Sequence, residues 1–420
     1  MPAAATSVPT PGRARLGVSA MFFTNGVLYS ALLPRYPEIK AALGLSNTEF
    51  GIVVVAFPAG AILAAASAAP AVRRLGVPLV TAAGSALLAV AMAVAGWAPS
   101  VLVLVAALLV GGVVDAVVDA AQNVHGVAVE RWRGRSIINS LHAVWSLGAA
   151  TGGLVGAGAA AASVPIAAQM AVNGVVWSIV AVVAARLAVI PAAVAAGEDG
   201  SGGQAGSPGR GEGAADADAA GGPARDARRG RRRAWRLLAP VVLLAVCGTL
   251  VEDVASNWSV LYLGTEAGAP ARVATLTLTV VLTGQLVGRL LGDRMTDRWG
   301  RDAVARSGGL LIAAGMAVAV AAPPYPFVLA GFALMGFGSA TLVPAAFAAA
   351  DRVPGLPAGT GIAVLGWLMR LGFLVTSPVV GAFSDATSLR LALLFPLAAG
   401  LLAAALAHRS ARSGGRARRG

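Results

Sequence analysis

The sequence predicts an all-α membrane protein, with twelve transmembrane helices in two pseudo-symmetric six-helix bundles. Three observations carry this expectation. The 420 residues are 57% hydrophobic and only 12% charged, whereas about a quarter of a soluble domain is charged, and mean hydropathy is +0.77. Apolar runs of about 20 residues recur, the length that crosses a bilayer's hydrocarbon core as a helix. Between Val194 and Trp235 lies a Gly/Ala/charged stretch without one large apolar side chain, and it divides the runs six and six. A backbone in hydrocarbon must satisfy its own hydrogen bonds, so the runs are expected as helices. The ten-residue alternation of an outer-membrane barrel is absent.

In chain order the spans are expected at 16–34, 49–71, 77–97, 100–125, 138–161, 164–189, 238–263, 273–293, 303–322, 326–349, 358–383 and 389–408. The first follows a polar N-terminal tail, residues 1–15, that carries Arg13 and Arg15. It continues into NGVLYSALLPRYP without a small-residue cleavage site, so it reads as a retained span and not a removable signal. The first six spans make an N-terminal bundle, 16–190. Residues 191–236 read as a disordered linker, because their composition cannot build a core. A C-terminal bundle follows at 237–408, then a basic tail at 409–420.

A net charge of +13 would suggest nucleic acid in a soluble protein. Here the arginines sit between apolar runs, on alternate loops. One set holds Arg73 and Arg74, then Arg131, Arg133 and Arg135, the end of the linker, Arg294, Arg298, Arg301 and Arg306, then Arg352 and the tail. The other set holds only Arg35, Lys40, Arg272 and Arg390. Basic loops mark the cytoplasmic side. Both termini and the linker are therefore expected in the cytoplasm of a bacterial cell, with the chain multi-pass in its inner membrane and no nucleic-acid partner. Cys247 is the only cysteine, so no internal disulfide is possible. No Walker loop, metal-spaced Cys/His cluster or hydrolase arrangement occurs. No enzyme activity, cofactor or metal is expected.

Polar residues inside the spans are the candidate site, because an ionised side chain at the bilayer centre costs about 2.5–3.5 kcal/mol on insertion scales. Asp115, Asp119, Gln122, Asn123 and Gly126 recur at helical spacing and share one stripe. Two carboxylates one turn apart repel in a low dielectric, which suits them to exchange a proton. The seventh span repeats the pattern. Asp253 and Asn257 share a face, Glu252 and Ser256 the adjacent one, and Trp258 follows as a surface for stacking a ligand or as an interfacial anchor. Arg370 lies deep in GIAVLGWLMRLGFLVTSPVV, too far from either end to snorkel. It is expected to pair with Asp115, Asp119, Glu252 or Asp253, or to bind an anionic substrate group. Asn25 and Tyr29 lie one turn apart on the first span. Asn139 and His142 begin the fifth, and Gln169 and Asn173 share a face of the sixth. Expected proton-coupling residues are Asp119, Glu252, Asp115 and Asp253. Expected substrate-binding residues are Arg370, Asn25, Tyr29, Asn123, Asn257, Trp258 and His142.

Residues 284–301 read GQLVGRLLGDRMTDRWGR. Gly284, Gly288 and Gly292 recur every four residues, which lets two membrane helices approach closely. The loop Asp297-Arg298-Trp299-Gly300-Arg301 resembles the signature loop of the major facilitator superfamily. The equivalent AVRRLG of the first half keeps Arg74 and Gly76 but has Arg73 where the aspartate would be. The stretches FFTNGVLYSALLPRYPEIKAALGLSNTEFG, DAAQNVHGVAVERWRGRSIINSLHAVWSLGAATG, NWSVLYL and RVPGLPAGTGIAVLG are similar to the branch of that superfamily near fucose permease and the inner-membrane YbjJ-type proteins. The resemblance implies a central cavity between two rocking bundles. It implies a gating role for Asp297 and Arg298, with Gly292, Gly300 and Arg301 completing the loop. It also favours Glu252 as the acidic position of the seventh span.

The expected function is secondary active transport of a small organic solute by alternating access, coupled to protons. Uptake symport and efflux antiport both fit, and a non-transporting membrane sensor of the same fold is the alternative from another class. The expected partners are a small-molecule substrate, protons and the lipid bilayer, with the chain as a monomer.

Overall fold

The computed structural model describes residues 9–64, 67–135, 137–191, 222–321, 324–350, 353 and 360–417. Among these, 12 helices are long and apolar enough to cross a membrane, and no strand occurs. They are α1 (Pro11–Ala42), α2 (Asn47–Ala64), α3 (Val77–Trp97), α4 (Val101–Arg133), α5 (Ser140–Ala161) and α6 (Ile166–Leu187) in the first half. The second half holds α7 (Ala234–Thr265), α8 (Ala271–Gly292), α9 (Arg301–Val320), α10 (Tyr325–Phe347), α11 (Val364–Ala386) and α12 (Leu389–Ala407). The all-helical, twelve-span architecture is the one expected.

The helix starts follow short polar signals. Thr10 accepts from the Arg13 amide and Pro11 opens the first turn, so α1 begins at Pro11 and not at residue 16. Ser46 and Glu49 form a capping box at the head of α2. Ser100 and Ser388 cap α4 and α12. Helix α4 runs 33 residues, past the expected end at 125, and stops where Gly134 turns left-handed at φ 66°. The helix carrying α7 begins at Gly222, so the end of the stretch read as a disordered linker is helical. Residues 192–221 lie outside the described residues. The last helix continues to Ala417, into the segment read as a tail.

The two halves repeat each other in backbone detail. Gly76, between α2 and α3, has φ 76° and ψ 150°; Gly300, between α8 and α9, has φ 80° and ψ 155°. An L side chain is strained there, so both loops keep glycine although one carries Arg73 and the other Asp297. Helix crossings repeat too. A Cβ on Gly60 of α2 would strike the Leu109 carbonyl, and one on Gly112 of α4 that of Phe57. Gly284 of α8 and Gly336 of α10 oppose Ala333 and Val281 in the same way. Without a hydrophobic force between helices in lipid, such close backbone packing supplies association.

The halves meet along two seams, α2 on α11 and α5 on α8. Gly51 faces the Ser377 carbonyl, Gly381 that of Asn47, and Gly153 the Thr279 side chain. Asn47 and Asp385 lie at the end with the arginine-poor loops, and that end is closed. Toward the basic end, Asp119, His142 and Arg370 are exposed although each sits inside a span. A cleft therefore opens between the halves on the basic side.

Within the second half, Gly315 of α9 and Gly331 of α10 each face the other's carbonyl. Gly315→Leu and Gly331→Leu should each destabilise the protein by about 1–3 kcal/mol. Gly158→Leu, whose Cβ would meet nothing within 4 Å, should leave stability unchanged. Residual monodisperse protein after heating, read by size-exclusion fluorescence, measures both.

Candidate functional site

Three polar groups occupy the region between the halves. The first belongs to the N-terminal half. Close packing of α1 on α5 at Gly26 and Gly148 places Trp145 beside Asn25. The indole Nε1 donates to Asn25 Oδ1 at 2.8 Å, and Asn25 Nδ2 donates to Asp115 Oδ1 at 2.7 Å. Asn25 is thus fixed from one side and fixes Asp115 on the other. One turn along α4, Asn123 Nδ2 donates to Asp119 Oδ1 at 3.1 Å. Asp119 is exposed to the cleft and feels the charges of His142 and Arg370. The expected stripe holds for Asp115, Asp119 and Asn123. Gln122 is instead fully buried and donates to the Met21 carbonyl at 3.1 Å.

The second group joins the halves. Gln285 Nε2 donates to Glu252 Oε1 at 2.7 Å. Arg289, one turn further along α8, lies 3.5 Å from the same oxygen. Its other terminal nitrogen, Nη1, donates to Ser146 Oγ of α5 at 2.6 Å. One guanidinium therefore touches both bundles. His142, a turn before Ser146, packs edge-on against Phe22 and lies within the field of both Asp119 and Arg289.

The third group seals the closed end. Asn257 Nδ2 donates to Asp253 Oδ1 at 3.0 Å, and Ser377 Oγ donates to Oδ2 at 2.5 Å. Ser377 in turn accepts from Trp258 Nε1 at 3.2 Å. Trp258 has no exposed surface and meets Phe50 of the other half edge-on at 5.4 Å. The expectation of a stacking face or an interfacial anchor gives way to an enclosed ring, because α2 closes over it. Tyr29 stacks on Phe57 at 4.3 Å. Asp115 and Asp253 both act on its hydroxyl.

Arg370 is exposed in the cleft and forms no ion pair within 4 Å among the described residues; its charge reaches Asp119. The ion pair expected of it is made by Arg289 instead, with Glu252. Gln169 is structural: it accepts from the buried Arg35 at 2.9 Å and donates to the Ala31 carbonyl at 2.9 Å. Asn173 is buried on the same helix. The side chain of Asn139 lies outside the described residues. In the signature loop, Asp297, Arg298, Gly300 and Arg301 are exposed and Gly292 is buried. Among the described residues no hydrogen bond or ion pair of Asp297, Arg298 or Arg301 crosses to the first half.

Sequence reasoning missed Arg289, Gln285, Trp145 and Ser377. Arg289 had a signal: Gln285 and Arg289 sit four apart inside an apolar run, the spacing that singled out Asp115 and Asp119. Its glycine neighbours drew attention to packing instead. No metal-binding group of three or more His, Cys, Asp or Glu occurs among the described residues.

A sequence model of the Major Facilitator Superfamily matches residues 241–418. The uncharacterized transporter y4wD of Sinorhizobium fredii is 29% identical over 386 residues, 91% of this chain and 93% of that protein. An uncharacterized MFS-type transporter of Yersinia pestis is 28% identical over 376 residues, 88% of this chain and 89% of the relative. Among solved structures, a D-xylose-proton symporter superposes with a TM-score of 0.69 at 15% identity, covering 94% of this chain and 96% of its own. A bacterial homologue of the lysosomal transporter Spinster, inward-facing and unoccupied, scores 0.69 at 14% identity over 97% and 98%. FucP in the outward conformation scores 0.58 at 17% identity over 94% and 97%.

Asp253 accepts from two donors in a closed pocket, so Asp253→Ala strands Ser377 and Asn257. It should lower stability by about 1–3 kcal/mol, whereas Asp119→Ala, at an exposed carboxylate, should change it by less than about 0.5 kcal/mol. Thermal unfolding of the purified variants checks the difference.

Proposed function

We propose that this chain is a membrane transporter of the major facilitator superfamily type and that it moves a small organic solute by proton-coupled alternating access. The observation that carries the reading is Arg289, which holds Ser146 of one bundle and Glu252 of the other. A charge shared across a moving interface links protonation to rocking. With Glu252 ionised, Arg289 has its counter-charge within its own half. A proton on Glu252 removes that counter-charge and leaves the guanidinium to Ser146, to Asp119 beyond His142, or to an anionic or hydroxyl group of the solute. Asp119 and Arg370 face the cleft and complete a surface of both signs. Asn25, Asn123 and Trp145 add the amides and aromatic face that orient a polar solute.

The shared fold with a D-xylose-proton symporter supports the proton as coupling ion for this architecture. The arginine-rich end is proposed as the cytoplasmic one, and the cleft as inward-open in the bacterial inner membrane.

Reconstitution into liposomes with an imposed pH gradient and a panel of polar solutes tests the proposal. A solute-dependent pH change is expected; its sign separates symport from antiport, and its absence across the panel would favour the sensor. Glu252→Gln should keep solute exchange while losing gradient-driven accumulation. Arg370→Ala should abolish transport with folded yield retained, and undiminished flux in that variant would remove Arg370 from the site.

A further inference from the structure

The first turn of α2 is completed by the other half of the molecule. A helix N-terminus leaves its first amides without partners. Here Glu49 Oε2 takes the Ser46 amide at 2.8 Å, and Ser46 Oγ takes the Glu49 amide at 3.1 Å. The two amides between them go elsewhere. Asp385, at the end of α11, accepts from the Asn47 amide at 3.0 Å and from the Thr48 amide at 2.6 Å. The Thr48 hydroxyl adds a third bond at 2.6 Å, and Asn47 Nδ2 donates to Ser384 Oγ at 3.0 Å. An ionised carboxylate at the positive end of a helix is a charge-assisted contact. It lies at the rim of the closed end, above the glycine crossing of Gly51 and Gly381.

The equivalent seam has no such group among the described residues. Helix α5 ends in Gly158-Ala159-Ala160-Ala161; toward this end it meets α8 through Gly153 against Thr279, and its Ser146–Arg289 bond lies deeper in the seam. Both seams pack glycine at a crossing, yet among the described residues only this one carries a carboxylate across the rim.

We propose that Asp385 is a positioning residue for transport, a helix cap supplied in trans that holds the carrier closed at the arginine-poor end. Separation of α2 from α11 strips two backbone amides and a hydroxyl of their acceptor at once, so the bundles part only as the latch releases. Asp385 therefore biases the resting population toward the conformation observed here. The inference rests on the alternating-access reading, but its test uses no solute, so a failed transport assay and a failed latch remain distinguishable.

The test uses the full chain in phospholipid nanodiscs, with Cys247→Ser removing the only native thiol. Thr279→Cys reports on the distant α5–α8 seam, where residue 279 is 8% exposed. Ser384→Cys reports at the latch itself; it alters the Asn47–Ser384 bond equally in the Asp385 and Asp385→Ala backgrounds, so the comparison between them still isolates the carboxylate. Labelling rates with a small, water-soluble maleimide are compared with and without Asp385→Ala. Loss of the latch should speed labelling at position 279 roughly tenfold or more, the population change expected from removing charge-assisted hydrogen bonds. Asp385→Asn, which keeps the shape and loses the charge, should give a smaller rise and serves if the alanine variant is not recovered monodisperse. An unchanged rate at position 279 in both variants overturns the proposal. So does faster labelling at position 384 alone, because local fraying of α2 would explain it without any rocking.

Discussion

Hydrocarbon offers no partner to a polar group, and the main features of this molecule follow from that. The backbone closes on itself in helices. The helices cannot be driven together by apolar burial, so they approach through glycine, carbonyl against Cα, at Gly60 and Gly112 in one half and Gly284 and Gly336 in the other. Charged side chains cannot face lipid, so the carboxylates deep in the spans gather between the halves with Arg289 and Arg370. The same constraint that makes the helices also selects which of their faces meet.

Between the halves the carboxylates differ in how completely they are satisfied. Asp253 has both oxygens bonded in a sealed pocket and acts as a bracket between α7 and α11. Asp115 is oriented through Asn25 by Trp145. Glu252 shares one oxygen between Gln285 and Arg289. Asp119, held only by its helical neighbour Asn123, is the most open of the four. The ordering runs from the closed end toward the basic mouth, so the molecule keeps fixed polar groups where it is shut and adaptable ones where solvent enters.

Much of this was legible in the sequence. Twelve spans followed from run length, the two halves from the linker, and the Asp115–Asp119–Asn123 stripe from helical spacing, because these are local properties of one chain segment. What was not legible depends on which helices meet. Nothing within α7 says that Glu252 will find an arginine from α8, or that this arginine will also hold a serine from α5. Trp258 read as a ligand face or anchor because its neighbours are apolar; only the fold reveals that Phe50 arrives from the other half to cover it. Helix ends were missed where a polar signal lay outside the hydropathy window, as at Thr10, or where the helix ran on through charged residues, as from Val127 to Arg133.

That overrun of α4 has a mechanical consequence. Thirty-three residues in one unbroken helix make a rod of about 50 Å, against a hydrocarbon layer of about 30 Å. The surplus projects at the end that carries Arg131 and Arg133, and a rigid rod cannot shorten when its bundle tilts. In the proposed rocking, a pivot of the N-terminal half would move these two guanidiniums relative to the headgroup layer. On that proposal, bilayer thickness and anionic lipid content would enter the energy difference between conformations directly, making the membrane itself one of the variables that set the resting state.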